Sequence, residues 1–301
     1  MSTKRKQEPN LKEILALLTL LDDPDETIYN EVKHRFVVLG PPVLPHLETA
    51  WENSFDVLMQ RRIEAIIQSI QVEVISKALH LWSVERSEHL LEGLILVARF
   101  QYPDLNEHLI LESIHKLKQE VWMELHDDMT ALEKVQAINH VLFEVHQFSG
   151  NISNYHAPQN SFINHVLESK KGNPILLSAL YLHIAQELKV PVYGINLPQH
   201  FILAYLNDFA NHLEADQGNF QKDILFFINP FSKGLIFQQK DIDQFLKQQE
   251  LKPQLKHYKP CDYVTMVYKC IEQLIVSYEK LGYAEKVNAL VNFQKALKPV
   301  A

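Results

Sequence analysis

The sequence contains no apolar run approaching the roughly 20 residues needed to cross a bilayer, and Met1 to Asn10 is polar, without the apolar stretch of a signal peptide. A cytoplasmic protein with no membrane partner is therefore expected. Cysteine is nearly absent, with Cys261 and Cys270 the two thiols. On one continuous helix nine positions would set them on opposite faces and about 13 Å apart, beyond disulfide reach, so both are expected to be reduced packing residues. There is no His-Glu-x-x-His and no cysteine pair at zinc-ligand spacing. The 15 histidines are scattered and read as solvated or hydrogen-bonded, so no metal or other cofactor is expected. Basic blocks are lacking too. The longest is Lys4-Arg5-Lys6, and 29 basic against 37 acidic residues leave a net charge of −8, which argues against electrostatic nucleic-acid binding as the main function.

The chain does have apolar residues in number, 47% of 301, enough for one large domain or two or three modest ones. From Leu11 to about Gln147 they recur at three- and four-residue spacing: Leu11, Ile14, Leu15, Leu18; Val32, Phe36, Leu39; Leu58, Ile63, Ile66, Ile67. The breaks are short. "LDDPDE" (Leu21 to Glu26) supplies Asp caps and a proline near a helix start, and "LGPPVLP" (Leu39 to Pro45) stops one helix before the next. The pattern predicts antiparallel helix pairs without sheet, either HEAT-like repeats or a plain bundle.

After Gly150 the composition changes. "NISNYHAPQNS" (Asn151 to Ser161) is a loop, followed by short helices over Ser161 to Glu168 and Pro174 to Leu188, the second apolar almost all round and hence buried. Strands are expected at Pro191 to Leu197, His200 to Leu206 and Asp223 to Pro230, with a fourth possible over Leu235 to Phe237 and a polar hairpin loop over Asn207 to Lys222. Helix resumes at Lys240 and ends in a pair, Asp262 to Leu281 and Tyr283 to Leu297, around Leu281-Gly282-Tyr283. The fold class is α+β: a leader at 1–10, disordered by expectation, an all-helical HEAT-like region at 11–149, a core with a small antiparallel sheet at 150–250, and a C-terminal tetratricopeptide-like pair at 251–301.

A buried helix entered through a Gly turn, then strands with a His at the start of one and an Asp or Asn at the end of the next, is the order of a transglutaminase-like domain. In that layout the helix N-terminus stabilises a thiolate, the His takes its proton, and the third side chain orients the imidazole. Asn154 to Leu203 resembles the SirB family of transglutaminase-like proteins through Asn154-Tyr155, Pro158-x-Asn160-Ser161, Gly172-x-Pro174-Ile175 and Leu197-Pro198-x-His200-Phe201. "INPFSKG" (Ile228 to Gly234) resembles the family's Asp-Pro-Phe-x-x-Gly, with Asn229 in the Asp place. The resemblance covers roughly Leu91 to Lys240 and implies a papain-like core.

Active relatives place Gly-x-Cys about fifteen positions before a Gly-Ile-Pro. Lys189-Val190-Pro191 stands in the latter place here, and fifteen positions before Lys189 is Pro174, so the resemblance implies a core without its thiol. Proline suits helix position N1, where its missing N–H has no intrahelical partner, and Asn173 is placed to cap it. His200 is read either as a relic base facing that helix start with Asn229 behind it, or as a residue bonded to a loop carbonyl. Asn229 alternatively caps a turn before Pro230. Ser178, expected to bond back to its i−4 carbonyl, and Ser161, expected as a helix cap, are weak substitutes for the thiol. Tyr155, Asn160 and Pro198 either brace the former cleft or line a peptide-binding groove. The resulting expectation is a non-catalytic cytoplasmic module that binds an unidentified protein partner. The alternative is a hydrolase or acyl-transfer enzyme using His200 and Asn229 with an unidentified nucleophile.

Overall fold

The computed structural model describes residues 10–198, 200–207 and 220–297, which fall in two compact units, Met1–Ala78 and Leu79–Ala301. The expected leader and most of the expected hairpin loop lie outside the described residues. In the first unit, Asn10 caps α1 (Leu11–Thr19), accepting the Lys12 N–H at 3.1 Å. Asp25 does the same for Thr27 at 2.8 Å and starts α2 (Glu26–Leu39). After the proline turn come α3 (Leu44–Asn53) and α4 (Val57–Glu85).

Ile14, Val32, Phe36, Ile63 and Ile66 meet in one core with Leu21, Val43 and Leu47. Leu11, Leu15 and Leu58, read in the same stripes, are more than half exposed, so the buried stripe is narrower than the apolar pattern. Arg62 is only 5% exposed yet carries a charge. Its guanidinium donates to the Leu21 and Asp23 carbonyls at 2.7 and 2.6 Å, pairs with Glu26 at 3.0 Å and lies 4.6 Å over the Tyr29 ring. Those carbonyls belong to the turn after α1. A buried cation is tolerated there because it satisfies acceptors that the helix end leaves open.

The second unit contains the end of α4, α5 (Leu90–Arg99), α6 (Glu107–Glu124) and α7 (Ala131–Asn139), which runs on into a π-helical turn, His140–Val145. No strand occurs among the described residues before Ser149. There β1 (Ser149–Gly150) pairs in parallel with β2 (Lys171–Gly172), enclosing α8 (Ile163–Ser169), and β2 leads directly into α9 (Pro174–Glu187). Every residue from Ile175 to Leu182 is buried, as its all-round apolar sequence predicts.

The strands β3 (Val192–Leu197), β4 (His200–Leu206), β5 (Ile224–Asn229) and β6 (Leu235–Phe237) form one antiparallel sheet in that order, with a short α10 (Phe220–Asp223) before β5. They fall where the β-branched and aromatic runs place them. Ile195, Ile202, Ala204 and Phe227 pack with Ile242 and Leu246 of α11 (Gln239–Gln248) and with Tyr258. Val192, Leu203 and Ile228 of the alternate set are also fully buried, and α9 packs on β3 and β4, so the sheet is covered on both faces there.

The chain ends in α12 (Tyr263–Leu281) and α13 (Ala284–Ala296), separated by Gly282 at φ 77. The two cysteines do not share a helix. Cys261 precedes the Asp262 cap of α12 and donates its N–H to Gly194 O at 2.9 Å, because Pro260 bridges to Ile195 on the edge strand. Both thiols are free.

Gly234 shows how tightly the β5–β6 connection is tied to α7. Its φ is +72, its carbonyl accepts from Asn139 Nδ2 at 2.9 Å, and an added Cβ would lie 2.1 Å from Asn139 Oδ1. Gly234→Ala therefore combines backbone strain with an overlap that Asn139 must move to relieve. It is expected to destabilise the protein by about 2–4 kcal/mol in urea unfolding. A loss below about 0.5 kcal/mol would show that the turn does not depend on this contact.

Candidate functional site

The start of α9 is built from amides. Asn173, extended at φ −83 and ψ 170, accepts the Leu176 N–H at 2.8 Å, and Pro174 follows at N1. Asn173 is 2% exposed and donates through Nδ2 to Ser161 Oγ at 2.7 Å, while its N–H donates to Asn160 O at 3.1 Å. Asn160, equally buried, donates to the Asn154 and Tyr155 carbonyls at 2.8 and 3.1 Å and accepts from Asn151 Nδ2 at 2.9 Å. Cys270 on α12 closes the knot from behind, its thiol 3.4 Å from Ser161 O.

Two serines differ from expectation. Ser161 does not cap a helix, since a 3-10 turn, Pro158–Ser161, precedes α8 and puts Phe162 at the cap position; the serine hydroxyl serves Asn173 instead. Ser178 makes no bond to its i−4 carbonyl, and its fully buried Oγ has no hydrogen-bond partner.

Against the start of α9 lies a cavity of about 60 Å³, walled by Pro174 and Ile175, by Asn196 and Leu197 at the end of β3, and by His200 and Phe201 at the start of β4. That exceeds the roughly 10–15 Å³ of such space that one water needs. Tyr155 closes one side, its ring 5.0 Å from that of His156 and 5.7 Å from that of Phe231. Burial raises the Tyr155 phenol above its ordinary pKa. The remaining wall is α12, which presents Gln273 and the ion pair Lys269–Glu272 at 2.7 Å. No cysteine, serine or threonine lines this cavity among the described residues.

Pro174, His200 and Tyr155 thus border one space. By strand alternation the His200 side chain shares the face of Ile202 and Ala204, the one covered by α11. Its imidazole stacks on Phe245 of α11 with ring centroids 4.8 Å and planes 17° apart. It borders the cavity with Pro174 because it is the first residue of β4, at the end of the sheet.

Asn229 lies outside the lining. It caps the Pro230 turn, accepting from Ser232 N at 3.3 Å and donating to Ser232 Oγ at 3.2 Å. Asn160 is consumed by the loop carbonyls, and Pro198, half-buried, sits in the turn between β3 and β4. The α12 residues Lys269, Glu272 and Gln273 were not anticipated. Their three- and four-residue spacing marks a helix face, but nothing local indicates which element that face meets.

A family model described as the transglutaminase-like superfamily matches residues 108–272, more than half of the chain. The chain belongs to that superfamily. Among individual proteins it is 30% identical over 145 residues to a UPF0162 protein of Xylella fastidiosa, across 48% of this chain and 47% of that one. It is also 26% identical over 133 residues to the UPF0162 protein of Vibrio cholerae, across 41% of this chain and 49% of that protein. The F-box only protein 21 of Mus musculus is 28% identical over 155 residues, across 51% of this chain and 22% of that protein. The chain thus spans about half the length of the bacterial relatives and less of the F-box protein. No solved structure matches it.

Pro174→Cys places a thiol at the N-terminus of α9. If the position is electrostatically competent, this thiol reacts with iodoacetamide at pH 7 at least about tenfold faster than a free cysteine, since a helix N-terminus and a nearby imidazole favour thiolate. The native thiols give a low background, because burial pushes both Cys261 and Cys270 up to about 12. Alkylation no faster than glutathione, followed by mass spectrometry, would show that the site no longer activates a nucleophile.

Proposed function

We propose that this chain is a non-catalytic, transglutaminase-like protein of the SirB type that acts as a cytoplasmic protein-binding or scaffold module. One observation carries the reading: the cavity at the start of α9 retains a histidine but is walled by Pro174 where a thiol would stand, and no other thiol or aliphatic hydroxyl lines it among the described residues. A positioned base contributes about 10²–10⁴-fold only when a group is present to receive its help. We read 11–149 as a HEAT-like helical region, 150–250 as the papain-like core and 251–301 as a tetratricopeptide-like pair. Surfaces of stacked helices suit protein partners better than small substrates.

The competing reading, acyl transfer or hydrolysis through His200 and Asn229, needs a nucleophile. Ser178 on α9 is buried and outside the cavity lining. The test pairs turnover with capture. The purified protein is expected to show no thiol-dependent transamidation, peptide cleavage or ester hydrolysis above buffer. It is expected to retain a defined partner from native extract, and His200→Ala should change stability or capture rather than a rate. Wild-type turnover that His200→Ala abolishes in a folded protein would establish the enzyme reading instead.

A further inference from the structure

A second cavity, about 500 Å³, lies next to the first. Successive turns of α12 line both, with Lys269 and Gln273 on the first and Ser277 and Lys280 on the second. The loop after β1 is shared in the same way, since Tyr155 borders the first and Asn154 and His156 the second. The walls of the second cavity are aromatic and cationic. Tyr102, Tyr278 and Tyr283 supply ring faces, and Lys280 and Lys286 supply ammonium groups.

These groups are held in place. Gln101 Oε1 accepts from both the Tyr278 hydroxyl, at 2.9 Å, and Lys286 Nζ, at 2.7 Å. The Lys286 ammonium sits 4.9 and 5.7 Å from the ring centroids of Tyr278 and Tyr283. Lys280 Nζ lies 2.6 Å from His156 Nε2, within hydrogen-bond reach.

No aspartate or glutamate lines the cavity among the described residues, although the chain as a whole carries a net charge of −8. Glu168 acts on the Tyr102 phenol from outside the lining, and Glu279 and Glu285 are exposed neighbours in sequence. The cations are therefore positioned by neutral acceptors and rings, and the site lacks anions of its own. Burial also pulls the Lys286 ammonium below the ordinary lysine range, a penalty that a bound carboxylate would relieve.

We propose that this cavity binds an acidic segment of a partner protein, with carboxylates on Lys280 and Lys286 and apolar or aromatic side chains against Tyr102, Tyr278 and Tyr283. The proposal rests on the protein-binding reading above and names the chemistry of the partner. Charge complementarity selects the occupant. The two lysines are accompanied by tyrosine rings in a cavity without a lining carboxylate, in a chain of net charge −8, which suits carboxylates interspersed with apolar groups rather than the continuous phosphates of a nucleic acid.

The test is selection from a random peptide library displayed on phage, using the immobilised full-length protein, with counter-selection on the double variant Lys280→Glu, Lys286→Glu. Enriched peptides are expected to carry Asp or Glu next to Phe, Tyr, Trp or Leu. In fluorescence anisotropy a synthetic representative should bind wild type at least about tenfold more tightly than the double variant. It should also weaken as NaCl rises from about 50 to 500 mM. The milder pair Lys280→Gln, Lys286→Gln, checked for native circular dichroism and melting, guards against a folding defect and should lose a similar factor.

Enrichment of basic or uncharged peptides, or equal affinity for wild type and the folded Gln pair, would overturn the proposal. Binding of free glutamate or inorganic phosphate as tight as that of the peptide would also overturn it, assigning the cavity to a small anion. If the double variant still captures the extract partner, the acidic-segment site fails while the binding-module reading stands. If even wild type captures nothing, that reading fails with it.

Discussion

A helix whose first turn is largely buried must find most of the partners for its first N–H groups within the protein, because access to water there is restricted. The start of α9 is such an end, and the polar organisation of the second unit follows from it. Pro174 removes one donor, and Asn173 accepts another, that of Leu176. Asn173 is itself 98% buried, so its own amide must be served, which brings in Ser161 Oγ and Asn160 O. Asn160 is served in turn by the Asn154 and Tyr155 carbonyls and by Asn151. A single capping requirement thus specifies the path of the loop from Asn151 to Ser161. Since that loop carries Tyr155 and His156, it also positions one wall of each cavity.

The imidazole of His200 shows how a side chain at a site's edge is shaped by its packing. At the end of the sheet it borders the space before Pro174, and its ring stacks on Phe245. In a working triad an orienting group holds the imidazole in place. Here Asn229 is occupied with the Ser232 backbone and hydroxyl. The Lys269–Glu272 pair adds two charges within the same small space, and it neutralises them against each other rather than against a developing oxyanion.

What was legible in the sequence divides along a physical line. The sheet strands could be placed because each is a run of β-branched and aromatic residues between turn formers, a local signal. The caps at Asp25 and Asn173 are likewise local, each a short polar side chain three or fewer residues before the donor it satisfies. The rest depends on contacts remote in sequence. The parallel pair of Ser149–Gly150 with Lys171–Gly172 is two residues long and has no periodicity to detect. Ser161 looks like a cap until Asn173, twelve residues on, claims its hydroxyl. The face of α12 could be identified as a face, but that it meets the start of α9 is a property of the packing. Leu11, Leu15 and Leu58 show the converse: an apolar residue at the right spacing is only a candidate for burial, and the partner surface decides.

The residues of the Pro-x-Asn-Ser, Gly-x-Pro-Ile and Asn-Pro-Phe turns serve one another, and this explains how the frame stands with a proline at N1 of α9. Asn160 of the Pro-x-Asn-Ser turn holds Asn173 of the Gly-x-Pro-Ile turn through the backbone. Phe231 of the Asn-Pro-Phe turn packs edge-on against Tyr155, and an added Cβ on Gly150 would lie 2.6 Å from its ring. Gly234, which ends the same segment, takes a bond from Asn139. None of these contacts uses a catalytic atom, and each buries a polar group with its partner or a ring against a glycine. The identity of the side chain at N1 therefore matters little to this network, because Pro174 is not a member of it. Removing Asn173 or Asn160 would leave buried donors and carbonyls unserved. On energetic grounds these motif residues are a specification for the start of a buried helix.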